Sequence, residues 1–169
     1  PTSAQLNNIG SGGNPNLKPE ESNSMETSLQ YMDSKKTLRV VLFDRETTNL
    51  IEATGARVGC CSRVLQNTAK SANNGVEISG QAILDSFIFK VSATFQDPIN
   101  KATNSQLQRR AENFGSFEIG YAFDKYKIGS QVFFSSSTPD LPVTDLCPAS
   151  TPLCRTNAGY AIANLYGSY

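Results

Sequence analysis

The chain has 169 residues, enough for one ordinary domain with its own core. Fifteen basic and fifteen acidic residues cancel, which argues against a nucleic-acid surface, and the absence of His excludes Cys/His zinc sites, Ser-His-Asp triads and His acid–base chemistry within the chain. No run approaches the roughly 18 apolar residues of a membrane helix, and the first residue is Pro1 rather than Met, which reads as a mature or cut segment.

The first informative stretch is GGNPNLKPEES, Gly12 to Ser22. Pro15 and Pro19 break any helix and push the residues before them toward extended conformations. A period-two pattern follows at once. Met25, Thr27, Leu29 and Tyr31 alternate with Ser24, Glu26, Ser28 and Gln30. The same alternation returns around Val76–Leu84, Phe87–Phe95 and Phe117–Phe123, with Leu38–Phe43 more uniformly apolar and Tyr126–Phe134 and Tyr160–Tyr169 weaker. Alternation of this kind marks strands with one apolar and one polar face. No segment has a sustained helical period. The pattern predicts seven strands, at 22–32, 37–52, 63–84 with a break near Ser71–Asn74, 86–97, 111–123, 126–137 and 158–169. They are longer than the usual five or six residues and match the length that crosses a bilayer at a tilt.

The links between them alternate in length. Asp33–Lys36, Asp85-Ser86 and Asp124-Lys125 are tight turns, whereas Thr54–Lys70, Pro98–Arg110 and Thr138–Asn157 are long. In an up-and-down meander all the short links fall at one end, which is the asymmetry of outer-membrane barrels. Tyr31, Phe87, Phe123, Tyr126 and Tyr169 lie close to that short-turn end, where an interfacial aromatic girdle sits. Alternation does not say which face is wet. A secreted or periplasmic soluble β-sandwich or barrel that binds a ligand therefore stays open on pattern alone.

All four Cys fall in the long links. Cys147 and Cys154 bracket a short segment and are expected to pair if those links are extracellular. Cys60 and Cys61 are adjacent, and their pairing stays open. No nucleophile–base pair, phosphate-cradling loop or pair of acids at a catalytic spacing occurs, so neither an enzyme nor a cofactor is expected.

GNPNLKPEES followed by alternating residues resembles the lead-in to a late barrel strand of the TonB-dependent outer-membrane receptors. Pro1–Leu6 resembles the tail of that family's Arg-Ala-Pro stretch, LRVVLFDRETTNLI (38–51) its Asn-Leu-Ile strand, and Asn74-Gly75-Val76-Glu77 its Gly-Val-Glu strand start. Leu107–Ala111, LQRRA, resembles its Arg-Arg element and GYAIANLYGSY (159–169) a strand near the end; the vitamin B12 receptor subfamily is the most similar. The resemblance implies an all-β antiparallel meander forming part of a 22-stranded transmembrane β-barrel, with plug domain and final strands outside this chain. It implies active uptake of a scarce nutrient such as cobalamin or a ferric siderophore. The partners implied are outer-membrane lipid and lipopolysaccharide, the rest of the barrel, the plug and, through the plug, TonB. It would turn Glu26, Gln30, Arg39, Arg45, Glu77, Gln81, Lys90, Gln96 and Glu118 toward the lumen and plug, as solvated or ion-paired wall residues before direct ligand contacts. Loop residues Arg57, Arg63, Arg109 and Arg110 are candidates to meet an anionic ligand, against the blander role of loop charge facing water or lipopolysaccharide.

Overall fold

A computed structural model describes residues 1–7, 13–58, 62–67, 70–140 and 156–169, with side chains for all of these except 52–58 and 62–64. The strands are β1 (Glu21–Met32), β2 (Lys36–Thr48), β3 (Ile51–Val58), β4 (Ser62–Asn67), β5 (Lys70–Leu84) and β6 (Phe87–Asn100). They continue with β7 (Ser105–Gln106), β8 (Asn113–Phe123), β9 (Tyr126–Ser135), β10 (Thr138–Pro139), β11 (Thr156–Asn157) and β12 (Tyr160–Ser168). Seven of them follow one another across a single sheet in the order β1-β2-β5-β6-β8-β9-β12, each antiparallel to the next. The expected all-β meander is what forms.

The tight turns fold for visible reasons. Asp85 and Asp124 adopt left-handed φ of 52° and 50°, as two-residue hairpins between Leu84 and Phe87 and between Phe123 and Tyr126 require. At the first turn, Asp33 Oδ1 accepts the amide hydrogens of Lys35 and Lys36 at 2.7 and 2.8 Å, and Tyr31 donates its hydroxyl to Asp33 Oδ2 at 2.8 Å. This is an Asx turn, and it holds the Asp33 carboxyl below its ordinary pKa, the Lys35 amide being the larger cause and the Tyr31 hydroxyl the next.

Several boundaries differ from the sequence expectation. Strand β2 ends at Thr48, because Asn49 turns the chain with a φ of 57°. The expected 63–84 segment holds two described strands, β4 up to Asn67 and β5 from Lys70, and Ser71–Asn74 is strand rather than a break. Ser71 to Asn74 pair with Thr47 to Asp44 on one side and with Asn100 to Asp97 on the other. Two neighbouring ladders override the weak strand preference of Ser and Asn. In the expected link 54–70, the described residues 54–58 and 62–67 belong to the antiparallel pair β3–β4. Pro98 lies inside β6, where it accepts the Leu107 amide hydrogen at 2.7 Å. A short helix, α1 (Ser3–Asn7), escaped the period analysis. Its signal is a capping box: Gln5 donates its amide hydrogen to Thr2 Oγ1, and Thr2 donates its own to Gln5 Oε1.

The sheet is one layer thick. Among the described residues the buried apolar side chains are Leu17, Val41, Ala72 and Ala93, whereas Leu42, Phe117, Ile128 and Leu165 on the apolar face are 57%, 46%, 55% and 86% exposed. A soluble domain covers such a face with a second layer; none of the described elements does so. The apolar face also carries a chain of rings, Phe89–Phe87–Tyr121–Phe123–Tyr126–Tyr169, with successive centroids 4.8 to 6.2 Å apart at the short-turn end. Tyr121 and Phe89 join the girdle residues that the sequence singled out.

Candidate functional site

Pairing register decides which side chains share a face, because partners across an antiparallel pair point the same way and alternate along each strand. One row runs Gln30, Arg39, Ser79, Ser92, Ser116, Phe133, Ile162. The next runs Met32, Thr37, Gln81, Lys90, Glu118, Gln131, Asn164. Glu26, Arg45, Glu77 and Gln96 have the same parity. All nine residues expected to face the lumen therefore lie on one face, opposite the apolar one.

Seven of them gather in two places, and Glu26 and Glu77 lie at neither. Nearer the short turns, Lys90 Nζ lies 3.1 Å from Glu118 Oε1, which also accepts the Tyr166 hydroxyl at 2.8 Å. Tyr166 reaches across β9 because Gly129 and Gly120 leave room beneath its ring, and Lys127 Nζ sits 5.7 Å from that ring. Gln30, Arg39, Gln81 and Gln131 line the recess beside this network. The hydrogen bonds join β6, β8 and β12, with Lys127 of β9 beside the Tyr166 ring, a connection that sequence spacing does not reveal.

At the long-loop end, a polar cleft of about 520 Å³ is lined by Arg45, Thr47, Ser71 and Asn73 from the wall and by Leu107 and Arg110 from the link after β6. The link is folded inward by Gln96, which donates through Nε2 to the Ala111 carbonyl at 2.7 Å and accepts from Asn73 Nδ2 at 2.9 Å. Among the described residues Asn73 Oδ1 is buried and has no hydrogen-bond partner. Arg45 and Arg110, one expected in the wall and one in a loop, thus meet at one cleft, and neither makes an ion pair among the described residues. Such a pair suits an anionic group, with hydroxyls and an amide available for its remaining oxygens.

Arg109 goes elsewhere. Its Nε pairs with Asp140 Oδ1 at 2.8 Å and its amide hydrogen goes to the Pro139 carbonyl, so it clamps two links together from a left-handed φ of 58°. Arg57 and Arg63 oppose each other in the β3–β4 hairpin, but their side chains lie outside the described set. Cys60, Cys61, Cys147 and Cys154 lie outside the described residues. The sequence reading missed an apolar patch on the polar face, made by Phe114, Phe133, Tyr160 and Ile162, which are 40%, 40%, 58% and 52% exposed. Its signal was the doublet Phe133-Phe134, which must place one ring on each face.

A single sheet whose apolar face no described element covers, with an aromatic ladder at one rim and a polar face opposite, has the character of a membrane β-barrel wall. The TonB dependent receptor-like, beta-barrel family matches residues 1–169, and the chain belongs to it. This is a family of outer-membrane receptors and transporters rather than of enzymes. The vitamin B12 transporter of Photobacterium profundum is 23% identical over 130 residues, covering 76% of this chain and 22% of the relative. That of Vibrio vulnificus is 29% identical over 118 residues, 69% of this chain and 19% of the relative. Among solved structures the copper transporter OprC superposes with a TM-score of 0.76 at 15% identity over 99% of this chain and 27% of that one. The chain spans about a fifth of the curated relatives' length and about a quarter of the solved structure's.

Proposed function

We propose that this chain forms part of the wall and outer mouth of a TonB-dependent active transporter that carries a scarce nutrient across the outer membrane. The observation that supports this best is the one-layer sheet, apolar on one side and charged on the other, in a chain of this receptor family. In this reading the aromatic rim faces the periplasmic side and the long links face outward toward lipopolysaccharide. The polar face lines the lumen against a plug domain, through which TonB supplies energy. The cleft with Arg45 and Arg110 receives the ligand. Two arginines favour an anionic ferric siderophore. The sequence likeness to vitamin B12 transporters favours cobalamin as the second reading.

Uptake by the intact protein of ferric siderophores, with cobalamin as competitor, separates the two. The expected result is siderophore uptake whose half-saturating concentration rises in an Arg45→Ala/Arg110→Ala variant. Cobalamin uptake with no siderophore transport selects the second reading. Uptake indifferent to both arginines removes the cleft as the ligand's place.

A further inference from the structure

The GGNPNLKPEES lead-in raises a physical problem. Its two prolines remove backbone donors, so it cannot pair along its length as a strand. It nevertheless runs beside the β3–β4 hairpin, and side-chain amides take over the pairing. Asn14 donates through Nδ2 to the Leu65 carbonyl at 2.9 Å, while its Oδ1 accepts the Asn16 amide hydrogen at 2.9 Å and so shapes the Pro15-Asn16 turn. Asn67 does more. Its Oδ1 accepts the Lys18 amide hydrogen at 2.8 Å, and its Nδ2 donates to the Lys18 carbonyl at 3.0 Å and to the Asn49 carbonyl. One side chain thereby makes with Lys18 the reciprocal pair that two strand residues make, and ties in the turn between β2 and β3. Glu20 completes the set by accepting the Ile51 amide hydrogen at 2.7 Å. Leu17, at the centre of the lead-in, is 8% exposed. At its other end the lead-in is anchored to α1, where Asn14 donates its amide hydrogen to the Gln5 carbonyl at 2.8 Å.

Three of these contacts join residues about fifty apart in sequence, and the Glu20–Ile51 bond lies at the mouth cleft. Leu50, Ile51 and Glu20 all line the mouth cleft. We propose that Asn14, Asn67 and Glu20 form a fixed strap that sets the base of the β3–β4 hairpin and, through Leu50 and Ile51, one wall of that cleft. The strap makes these three positioning residues, a role that rests on the cleft's being the ligand's place only for its consequence in transport. The rigid, polar composition of the lead-in follows from it: prolines supply extension, and asparagines supply both a donor and an acceptor from one side chain.

Hydrogen exchange on the intact protein tests the strap, read on peptides that contain the Lys18 and Ile51 amides. A lost hydrogen bond of ordinary strength speeds local exchange by about fivefold or more. Asn67→Ala is expected to speed Lys18 exchange by that factor. Glu20→Ala is expected to speed Ile51 exchange and Glu20→Gln to restore it. Exchange at Lys18 and Ile51 equal to the parent's in both alanine variants overturns the strap. So does loss of Ile51 protection in Glu20→Gln equal to that in Glu20→Ala, since that signals general loosening. If Asn67→Ala fails to accumulate in the membrane, the Glu20 pair decides alone. The transport consequence reads separately: a raised half-saturating concentration with unchanged maximal uptake in Glu20→Ala supports positioning. Unchanged uptake in the Arg45→Ala/Arg110→Ala variant overturns the cleft reading while the exchange result still stands for the strap.

Discussion

Val91 offers the sharpest test of which face meets lipid. It lies on the apolar face of β6, four residues from Phe87 and four from Phe95, both of which point the same way. At about 3.3 Å per residue and a tilt of about 35–45°, each of these two rings lies about 9–11 Å from it in depth. Val91 is therefore near the middle of the apolar band, flanked across the ladders by Gly80 and Phe117. An arginine there must place its guanidinium in hydrocarbon, at a cost of about 2–4 kcal/mol at the midplane. That lowers the ratio of folded to unfolded protein by about 30- to 1000-fold. The neighbouring Ser92 points to the opposite face, between Ser79 and Ser116, and an arginine there stays in a polar surrounding. The assay is the urea midpoint of the intact protein folded into lipid vesicles. Val91→Arg should fall well below Ser92→Arg. Equal midpoints, or a loss only in Ser92→Arg, would refute the assignment of faces.

Three further outcomes are expected. A methyl group at Gly129 would lie 2.5 Å from Tyr166 Cζ and 2.7 Å from the Ile119 carbonyl oxygen, so Gly129→Ala should lose about 1–3 kcal/mol in the same unfolding assay, part of it recovered by adding Tyr166→Ala. Asp33, with its folded pKa depressed, stabilises its turn fully above the ordinary carboxyl value of about 3.9 and loses that contribution as pH falls through the folded value. Asp33→Asn keeps the acceptor and should flatten the acid side of the stability–pH profile, measured by unfolding at a series of pH values. Arg109→Ala breaks an ion pair whose arginine is 73% exposed, so it should cost less than about 1 kcal/mol and leave ligand uptake unchanged; a large uptake defect would return Arg109 to the ligand candidates.

The sequence by itself determined the two faces of the sheet. Period two is a local property, so Lys90 and Glu118 could be placed on the polar side, and Phe87 and Phe123 on the other, before any pairing was known. It also placed the tight turns, because Asp-Ser and Asp-Lys doublets sit where φ must turn positive. The lead-in was legible as extended but not as a strap. Asn67 and Lys18 meet only when the hairpin brings distant segments together, and no local pattern encodes that meeting. The tertiary structure also decided how the wall and loop candidates divide. Arg45 and Arg110 share a cleft, while Arg109, next in sequence to Arg110, clamps Asp140 instead. Ser71–Asn74, which read as a break, became strand because ladders on both sides satisfied their backbone groups. Alternation is written residue by residue, whereas which residues of one face touch depends on register and on how loops fold back, and those are settled only when every strand has its neighbours.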